Sequence, residues 1–241
     1  MSDPNKKLTL SVVLPVYNEE SSVAGLLRRV AESPCVNEMI IIDDCSTDNS
    51  VSVVQQTIES LRSAYPEIKV EFLQHDKNFG KGKALRTGFT HTTCDVVVVQ
   101  DADLEYDPEE YPHLMKPISD GKADVVYGSR FLGGPHRVLY FWHYFGNKML
   151  TLMSNMFSNL NLTDMETCYK MFRREVLEKI EFKSNRFGFE PEFTAKVSKA
   201  GFRIYEIPIS YHGRTYDEGK KITWKDGVSA FFHIIRFNLF K

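Results

Sequence analysis

The sequence contains little cysteine, and its cysteines show no paired spacing. Of 241 residues four are cysteine, at Cys35, Cys45, Cys94 and Cys168, and none belongs to a C-x-x-C pair. A disulfide framework is therefore not indicated. Cys35 and Cys94 lie beside apolar segments, where a reduced thiol packs as a small hydrophobic side chain. We expect a reducing, cytoplasmic setting for this chain.

The chain also lacks an excess of basic residues. Its formal net charge is −2, with 30 Lys and Arg residues against 32 Asp and Glu. Nucleic-acid-binding proteins normally show a strong basic excess, so this class of function is not indicated. Any cationic binding site must therefore be local, and nothing in the composition indicates an oligomeric state.

No apolar run is long and continuous enough to cross a membrane. A spanning helix needs roughly 20 predominantly apolar residues. The richest stretch, 139–157, is interrupted by Tyr140, His143, Lys148 and other polar residues. The first residues show no apolar signal region ahead of a cleavage site, so export is not expected. We expect a soluble protein or one that lies on a membrane surface.

Strand-like and helix-like segments alternate along the first half of the chain. Strands are predicted at 8–16, 39–42, 69–73, 95–100 and 125–127, and helices at 21–32, 48–64, 84–89 and 109–119. This order implies βαβ units, and therefore an α/β fold with a mostly parallel central sheet flanked by helices. Further on, helices are predicted at 140–157 and 224–240, and a strand at 204–207. With 42% hydrophobic residues, the whole chain is expected to form one domain.

Two aspartates follow the most apolar of these strands. Asp101-Ala102-Asp103 comes just after a run of four valines, and Glu105 stands two residues further on. The carboxyl ends of parallel strands form the crevice in which open α/β sheets bind ligands. Carboxylates close together repel one another, so we expect a cation among them. Hard oxygen ligands suit Mg²⁺ or Mn²⁺ bound to substrate phosphates. The alternative is a polar strand end followed by a helix cap.

Two other predicted strands end in polar side chains at the same sheet edge. Pro15-Val16-Tyr17-Asn18-Glu19 closes the first strand, and Asp43-Asp44 closes the second. Carboxylates accept hydrogen bonds from a ribose or a base edge, and Tyr17 can cover an aromatic ring. The set therefore suits a nucleoside. Capping of turns and helices by Asn18 and the two aspartates is the alternative.

A basic loop with two glycines, 77–83, reads Lys-Asn-Phe-Gly-Lys-Gly-Lys. It resembles a phosphate cradle, but it lacks the glycine order and the final Lys-Ser/Thr pair of a P-loop, so that motif is not indicated. Its lysines, including Lys81, can help to hold a diphosphate. A solvated basic loop is the alternative.

Taken in order, these segments resemble the family 2 glycosyltransferases, in particular the polyprenyl-phosphate sugar synthases of the dolichol-phosphate mannose synthase type. The matching segments are 15–19, 42–44, 78–82, 101–103, 128–130 and the tail 213–220. The resemblance implies a GT-A fold and a divalent metal, Mg²⁺ or Mn²⁺. It also implies transfer of a hexose from a GDP-mannose or UDP-glucose type of donor to polyprenyl or dolichyl phosphate.

The resemblance further implies roles for individual residues. The residues expected to hold the nucleoside are Pro15, Tyr17, Glu19, Ile42 and Asp44. Asp103 is expected to bind the metal together with Glu105, where many relatives have glutamine, and Asp101 is expected to lie beside them. The segment 164–170 departs from the glycine-containing version of the relatives, which leaves the acceptor side less well defined.

Chemistry narrows the choice of acceptor. A sugar hydroxyl needs a general base to attack the anomeric carbon, whereas a phosphate monoester is already anionic, with a second pKa of about 6. An anionic acceptor needs cations, and guanidinium groups bind phosphate well. Arg130, Arg137 and Arg214 stand in loops expected around the donor, with structural salt bridges as the alternative. Asp164 and Glu166 serve either as a base for a hydroxyl acceptor or as contacts to the donor sugar.

The predicted C-terminal helix, 222–241, has an aromatic-rich apolar face with basic residues nearby. The basic residues are Lys220, Lys221, Lys225, Arg236 and Lys241. Such a helix can lie in the interface of an anionic membrane, or it can pack on the core of the protein.

The sequence thus predicts a metal-dependent, inverting transferase that acts on polyprenyl phosphate at the cytoplasmic face of a membrane. Inversion is expected because single displacement needs no covalent nucleophile, and none is evident. A family 2 transferase acting on a saccharide hydroxyl is one alternative. A nucleotide-binding module without catalysis is the other.

Overall fold

Seven strands and eight α-helices are present in the residues that the computed structural model describes, which are 7–133, 135–138, 140–186, 188–215, 217 and 224–240. The strands are β1 (Leu10–Val16), β2 (Val36–Asp43), β3 (Lys69–Gln74), β4 (Val96–Val99), β5 (Val125–Ser129), β6 (Lys170–Arg173) and β7 (Ile204–Pro208). The helices are α1 (Val23–Glu32), α2 (Ser50–Ala64), α3 (Lys81–Phe89), α4 (Tyr111–Ser119), α5 (Phe141–Ser158), α6 (Glu175–Lys179), α7 (Phe189–Lys199) and α8 (Trp224–Leu239).

The strands form one sheet in the order β3-β2-β1-β4-β6-β5-β7. All neighbours are parallel except β6, which runs antiparallel to both β4 and β5. The predicted α/β fold with a mostly parallel sheet is confirmed. The sequence pattern does not predict β6, because this short strand begins with a lysine and ends with an arginine and is neither alternating nor continuously apolar.

Element boundaries differ from the predicted ones by a few residues, for local reasons. β2 begins at Val36, before the predicted 39–42, and includes Glu38, whose buried carboxylate receives a hydrogen bond from Lys69 at 2.8 Å. The predicted helix 109–119 begins as a 3₁₀ turn, Pro108–Glu110. There the side chain of Asp107 accepts a hydrogen bond from the backbone N–H of Glu109 at 3.0 Å.

The core lies in two layers, one on each face of the sheet. In β1, Val12 and Leu14 pack into the layer formed with α1, α2 and α4, whereas Val13 packs on the other face with α3 and α7. This alternation is the period of two expected of a strand. Each such fully buried side chain contributes about 1.5–3 kcal/mol.

Helices α5 and α8 pack against each other and remain largely exposed. In α8, Ala230, Ile234 and Phe237 are buried, whereas Phe232 is 64% exposed. The helix therefore packs on the protein and also presents an apolar face, and contact of that face with a membrane stays a prediction. No helix within the described residues is long and apolar enough to cross a membrane. Lys220, Lys221 and Lys241 lie outside the described residues, as does the side chain of Lys225.

The strand register brings three strand ends together. Val16 of β1 pairs with Asp43 of β2, and Val13 of β1 pairs with Val99 of β4. Beyond these pairs the chain leaves the sheet in the segments 17–19, 44–46 and 100–105. The polar residues predicted to meet at one sheet edge are therefore neighbours in space.

Candidate functional site

A cavity of about 1730 Å³ opens at the carboxyl ends of β1, β2 and β4. Most of the predicted site residues line it, namely Pro15, Tyr17, Glu19, Asp44, Lys81, Asp101, Asp103, Glu105, Arg130, Arg137 and Arg214. Two predicted residues do not line it. Ile42 and Asp164 both have fully buried side chains, so neither presents a surface to a ligand here.

Ile42 belongs to the core beneath the site. Its side chain packs in the layer that contains Val13 and Leu85. A Cβ atom at Gly88 of α3 would lie 2.6 Å from Ile42 Cδ1, so helix and strand are in close contact there. The side chain of Ile42 points into this contact and not into the cavity, so it has a packing role here, and a nucleoside contact by Ile42 stays a prediction.

Asp44 holds the glycine-containing loop in place. Its carboxylate accepts hydrogen bonds from the backbone N–H groups of Gly80 at 2.6 Å and Phe79 at 3.1 Å. His75 Nδ1 lies 2.7 Å from the same carboxylate. A nucleoside that bonded to Asp44 would have to share an acceptor that is already in use.

The glycines of this loop allow a close approach of backbone, a role that neither interpretation of the sequence includes. A Cβ atom at Gly82 would lie 2.5 Å from the carbonyl oxygen of Ser184, and one at Gly80 would lie 2.7 Å from that of Asn185. Gly80 also has a positive φ of 95°, a conformation that favours glycine. The loop therefore packs against the segment that precedes α7.

Lys81 points inward from this loop and pairs with two acids. Its Nζ lies 2.8 Å from Asp101 and 3.0 Å from Glu190, and 2.9 Å from the sulfur of Cys168. Burial by itself lowers the pKa of Lys81, but Asp101, Cys168 and Glu190 raise it well above its ordinary value. Lys81 is thus a charged partner of Asp101, and the alternative of a solvated loop is not observed at this lysine.

A second cation, Arg214, lies among three further acids. Its Nη2 is 3.2 Å from Glu19 and 3.4 Å from Asp103, and its Nε is 3.8 Å from Glu105. The backbone N–H of Arg214 donates to Glu105 at 2.7 Å, and so does the hydroxyl of Tyr211 at 2.7 Å. Among the described residues, one guanidinium thus faces three carboxylates, which carry more negative charge than it offsets.

Asp103 shows the effect of this crowding. Burial raises its pKa to about 7, with further increases from Asp101 and Glu105, against the opposing effect of Arg214. Among the described residues, no three Asp, Glu, His or Cys side chains are arranged to hold a metal ion by themselves. A cation bound here would need ligands from a substrate or from water.

Arg130 and Asp164 form a buried ion pair. The guanidinium donates to the carboxylate through Nε at 2.6 Å and Nη2 at 2.7 Å, and the backbone N–H of Arg130 donates at 3.1 Å. Burial lowers the pKa of Arg130, but Asp164 raises it well above its ordinary value. This is the structural salt bridge that the sequence left open. Direct contact of Asp164 with a substrate would require Arg130 to release it.

The side of the cavity away from the sheet is apolar. Phe141, Trp142 and Tyr144 of α5 line it together with Phe231 and Phe232 of α8. Arg137 also lines the cavity, and it donates to the carbonyl of Gly213 at 3.3 Å and, through its backbone N–H, to that of Tyr211 at 3.0 Å, in the segment that leads to Arg214. The sequence indicates an apolar face on α8, but it does not indicate that α5 joins α8 in one wall.

Two polar residues of the site are not predicted from the sequence. Glu190 stands at the start of α7 and pairs with Lys81, and Tyr211 binds Glu105 from the segment after β7. Neither lies in a recognisable motif. The sequence shows only that each is a polar residue, and it does not predict the helix α7 at whose start Glu190 stands.

The family model described as Glycosyl transferase family 2 matches residues 11–181. The chain is also similar to glucosyl-3-phosphoglycerate synthase from Mycobacterium tuberculosis in complex with Mn²⁺, UDP and phosphoglyceric acid. The identity is 19%, 97% of this chain and 80% of that chain are covered, and the TM-score is 0.74.

Two other structures of that protein match in the same way. Its complex with Mn²⁺, UDP-glucose and phosphoglyceric acid is 20% identical, with 97% and 81% of the two chains covered and a TM-score of 0.72. Its complex with Mg²⁺ and UDP is 18% identical, with 97% and 80% covered and a TM-score of 0.69. At these identities the likeness shows a shared fold.

Proposed function

The chain belongs to glycosyltransferase family 2, and from that premise we propose that it transfers a hexose from a nucleotide diphosphate sugar to a polyprenyl phosphate. Family membership supports the predicted glycosyltransferase activity, and the fold is the predicted GT-A-like α/β arrangement. The finer prediction, a synthase of the polyprenyl-phosphate sugar type, depends on the acceptor. The single observation that carries it is that one cavity extends from the acidic sheet edge to an exposed apolar wall.

The donor is proposed to bind at the acidic end of the cavity. Tyr17 is 39% exposed there and offers a ring face to a base, with Glu19 and Pro15 beside it. Structures of the relative contain UDP or UDP-glucose. A uridine diphosphate sugar is therefore our first choice of donor, and the GDP-mannose type is the alternative.

The acids around Arg214 fit a divalent cation. Among the described residues, Glu19, Asp103 and Glu105 carry more negative charge than this guanidinium offsets. Arg214 Nε is a buried donor without a hydrogen-bond partner among the described residues, and a phosphate oxygen of the sugar nucleotide would satisfy it. Mg²⁺ is usually bound by one or two carboxylates together with substrate phosphates, and Mn²⁺ accepts the same ligands. Asp103 and Glu105 would hold the ion, with Asp101 paired to Lys81 beside them. When bound, the ion stabilises the negative charge that develops on the departing diphosphate. Structures of the relative contain Mn²⁺ or Mg²⁺.

The acceptor is proposed to bind at the apolar end. Phe141, Trp142 and Phe232 line the cavity and are 63%, 76% and 64% exposed. Soluble proteins rarely expose large contiguous apolar patches unless these bind something. A polyprenyl chain would cover this wall. Phosphoglyceric acid, which is present in structures of the relative, has no apolar chain that could do so.

Transfer is proposed to occur by single displacement with inversion. An oxygen of the acceptor phosphate forms the bond to the anomeric carbon while the bond from that carbon to the donor diphosphate breaks. The acceptor needs no general base, because a phosphate monoester with a second pKa of about 6 is already anionic at neutral pH. Arg137, which lines the cavity beside the segment that carries Arg214, would offset the repulsion between acceptor and donor phosphates.

The same apolar wall would place the protein on the cytoplasmic face of a membrane. Its residues come from α5 as well as α8, so the surface is wider than the C-terminal helix alone. Aromatic and aliphatic side chains of this kind insert into the region between lipid headgroups and acyl chains. Membrane binding and lipid-acceptor binding would then use one continuous surface.

The test is a donor and acceptor screen with labelled sugars. UDP-glucose and GDP-mannose are each incubated with the protein, Mn²⁺ and one of three acceptors, which are polyprenyl phosphate, phosphoglyceric acid and an oligosaccharide. We expect label in the lipid extract with one donor. Label found only in oligosaccharide would favour the saccharide-hydroxyl alternative. Metal-independent nucleotide binding without donor hydrolysis would favour the non-catalytic module.

A further inference from the structure

Glu166 differs from the other acids of the cavity in its hydrogen bonding. Its Oε1 is buried and has no hydrogen-bond partner among the described residues, and the side chain lines the cavity. Several other acids of the cavity lie next to a cationic or imidazole side chain. Asp44 is paired with His75, Asp101 and Glu190 are paired with Lys81, and Asp103 and Glu105 are paired with Arg214. A buried acceptor left unsatisfied costs about 1–3 kcal/mol. Such an oxygen in a substrate cavity is placed to be satisfied by the substrate.

The backbone on both sides of Glu166 is fixed by side chains. The hydroxyl of Thr151 accepts a hydrogen bond from the N–H of Met165 at 3.1 Å. The ammonium group of Lys170 donates to the carbonyl of Met165 at 3.0 Å and also to the carbonyl of Thr167. Lys170 is itself fully buried. Glu166 is therefore held at a defined position, as precise recognition of a ligand requires.

The charge around Glu166 restricts the group that it can recognise. Burial raises the pKa of Glu166 to about 7, with a further increase from Glu190, against the lowering effect of Lys170 and Arg130. Near neutral pH such a carboxyl group can both donate and accept a hydrogen bond. A phosphate in contact with Glu166 and close to Glu190 would be repelled. An uncharged hydroxyl group, which also donates and accepts, meets no such repulsion.

We infer that Glu166 is a specificity residue that binds a hydroxyl group of the transferred sugar. The inference rests on the proposed function, since it takes the cavity to hold a sugar nucleotide. Of the proposed substrates, the donor sugar is the uncharged polyhydroxylated part, and it must lie between the diphosphate near Asp103 and the acceptor near Arg137. Glu166 lines the same cavity as both of these residues.

The experiment compares Glu166→Ala and Glu166→Gln with the wild-type protein in binding sugar nucleotides. The probes are the active donor and its analogues that lack one hydroxyl at a time, with affinity measured by calorimetry without acceptor. Glu178→Gln is the matched control, because Glu178 is exposed and its ion pair, with Arg174 four residues earlier, is also at the surface. Thermal melting checks that each variant folds.

We expect the wild type to bind one deoxy analogue about 10- to 100-fold more weakly than the full donor, the range for one hydrogen bond to a charged group. Glu166→Ala should bind the unmodified donor and that analogue with equal affinity. For every other analogue, the ratio of its affinity to that of the donor should be the same in Glu166→Ala as in the wild type. Glu166→Gln should recover part of the discrimination, because the amide can still donate and accept. The melting temperature of Glu166→Gln should not fall, since the substitution removes a carboxyl group that lies close to Glu190.

Several results would overturn the inference. If each analogue binds more weakly than the donor by the same factor in the wild type and in Glu166→Ala, the side chain of Glu166 contacts no sugar hydroxyl. A lower melting temperature in both variants, with unchanged discrimination, would make Glu166 structural. Unchanged donor binding with a loss of turnover on a hydroxyl acceptor would make it a general base instead. If no sugar nucleotide binds even to the wild type, the proposed function is wrong and the inference is lost with it. If donors bind as expected but lipid phosphate is not an acceptor, only the acceptor assignment is wrong.

Discussion

Replacing Asp164 with alanine leaves Arg130 buried without its counter-charge. Asp164 is fully buried, the side chain of Arg130 is 13% exposed, and three hydrogen bonds of 2.6, 2.7 and 3.1 Å join the two residues. Removing one partner of a buried ion pair costs about 3–5 kcal/mol. For a chain of this size each kcal/mol lowers the melting temperature by about 2–4 °C, so we expect a decrease of roughly 6–20 °C.

The measurement is urea unfolding at neutral pH, followed by the same series at lower pH. Burial raises the pKa of Asp164, but Arg130 outweighs that effect and lowers it below 3.8. A carboxylate with a lowered pKa stabilises the fold above its unfolded-state pKa and loses that contribution as the pH falls through the folded-state value. The difference between Asp164→Ala and the wild type should therefore persist at neutral pH and shrink in strong acid.

Two further variants make the reasoning refutable. Glu178→Ala removes an exposed pair with Arg174, and we expect a change of no more than about 0.5 kcal/mol. The double variant Arg130→Met with Asp164→Leu replaces the ion pair by apolar groups. It should recover most of the stability that Asp164→Ala loses. If the free energy of unfolding of Asp164→Ala is less than about 1 kcal/mol below that of the wild type, the buried ion pair does not stabilise the fold as argued. Arg130 would then be available to bind a phosphate.

Three other predictions follow from the site. Asp103→Ala should lower the rate of sugar transfer at least about 100-fold, because the metal would lose a carboxylate ligand. Its circular dichroism spectrum should stay that of the wild type. Full turnover by this variant would show that Asp103 is not a metal ligand. Arg137→Ala should raise the KM for polyprenyl phosphate more than the KM for the sugar nucleotide, and equal increases in initial-rate assays would place Arg137 on the donor. The double variant Trp142→Ser and Phe232→Ser should co-sediment less with anionic vesicles than the wild type. Tyr205→Ser, at an exposed aromatic residue of β7, should co-sediment as the wild type does. An equal loss of vesicle binding in the two proteins would show that the α5–α8 wall is not the membrane surface.

Much of the fold is predictable because its signals are local. The valine run of β4 and the apolar spacing of α1 and α2 lie within short windows of sequence, and they specify strands and helices by composition and period. Parallel pairing then follows from the alternation of the elements. The meeting of Tyr17, Asp44 and Asp103 at one edge follows in turn, because parallel strands end on the same side of a sheet. β6 has no such signal, and its antiparallel insertion between β4 and β5 depends on packing.

The partners of the charged residues are less predictable. Lys81 lies in a loop that resembles a phosphate cradle, yet its ammonium group pairs with Asp101 and Glu190, and the latter belongs to a distant helix. Arg130 shows the same effect, because its counter-charge, Asp164, comes from another part of the chain. A motif gives the type and spacing of side chains, whereas the partner of each charge depends on which distant segments pack beside it.

The sequence by itself determined the α/β class, the acidic edge of the sheet and membership of a glycosyltransferase family, since all three are written in short motifs and in their order. Only the tertiary structure decided which acids are already paired, that Glu166 retains an unpartnered buried oxygen among the described residues, and that α5 and α8 form one apolar wall. The physical reason is that exposure and charge compensation are properties of the groups that surround a side chain. Those groups are brought together by contacts between residues that are far apart in the chain.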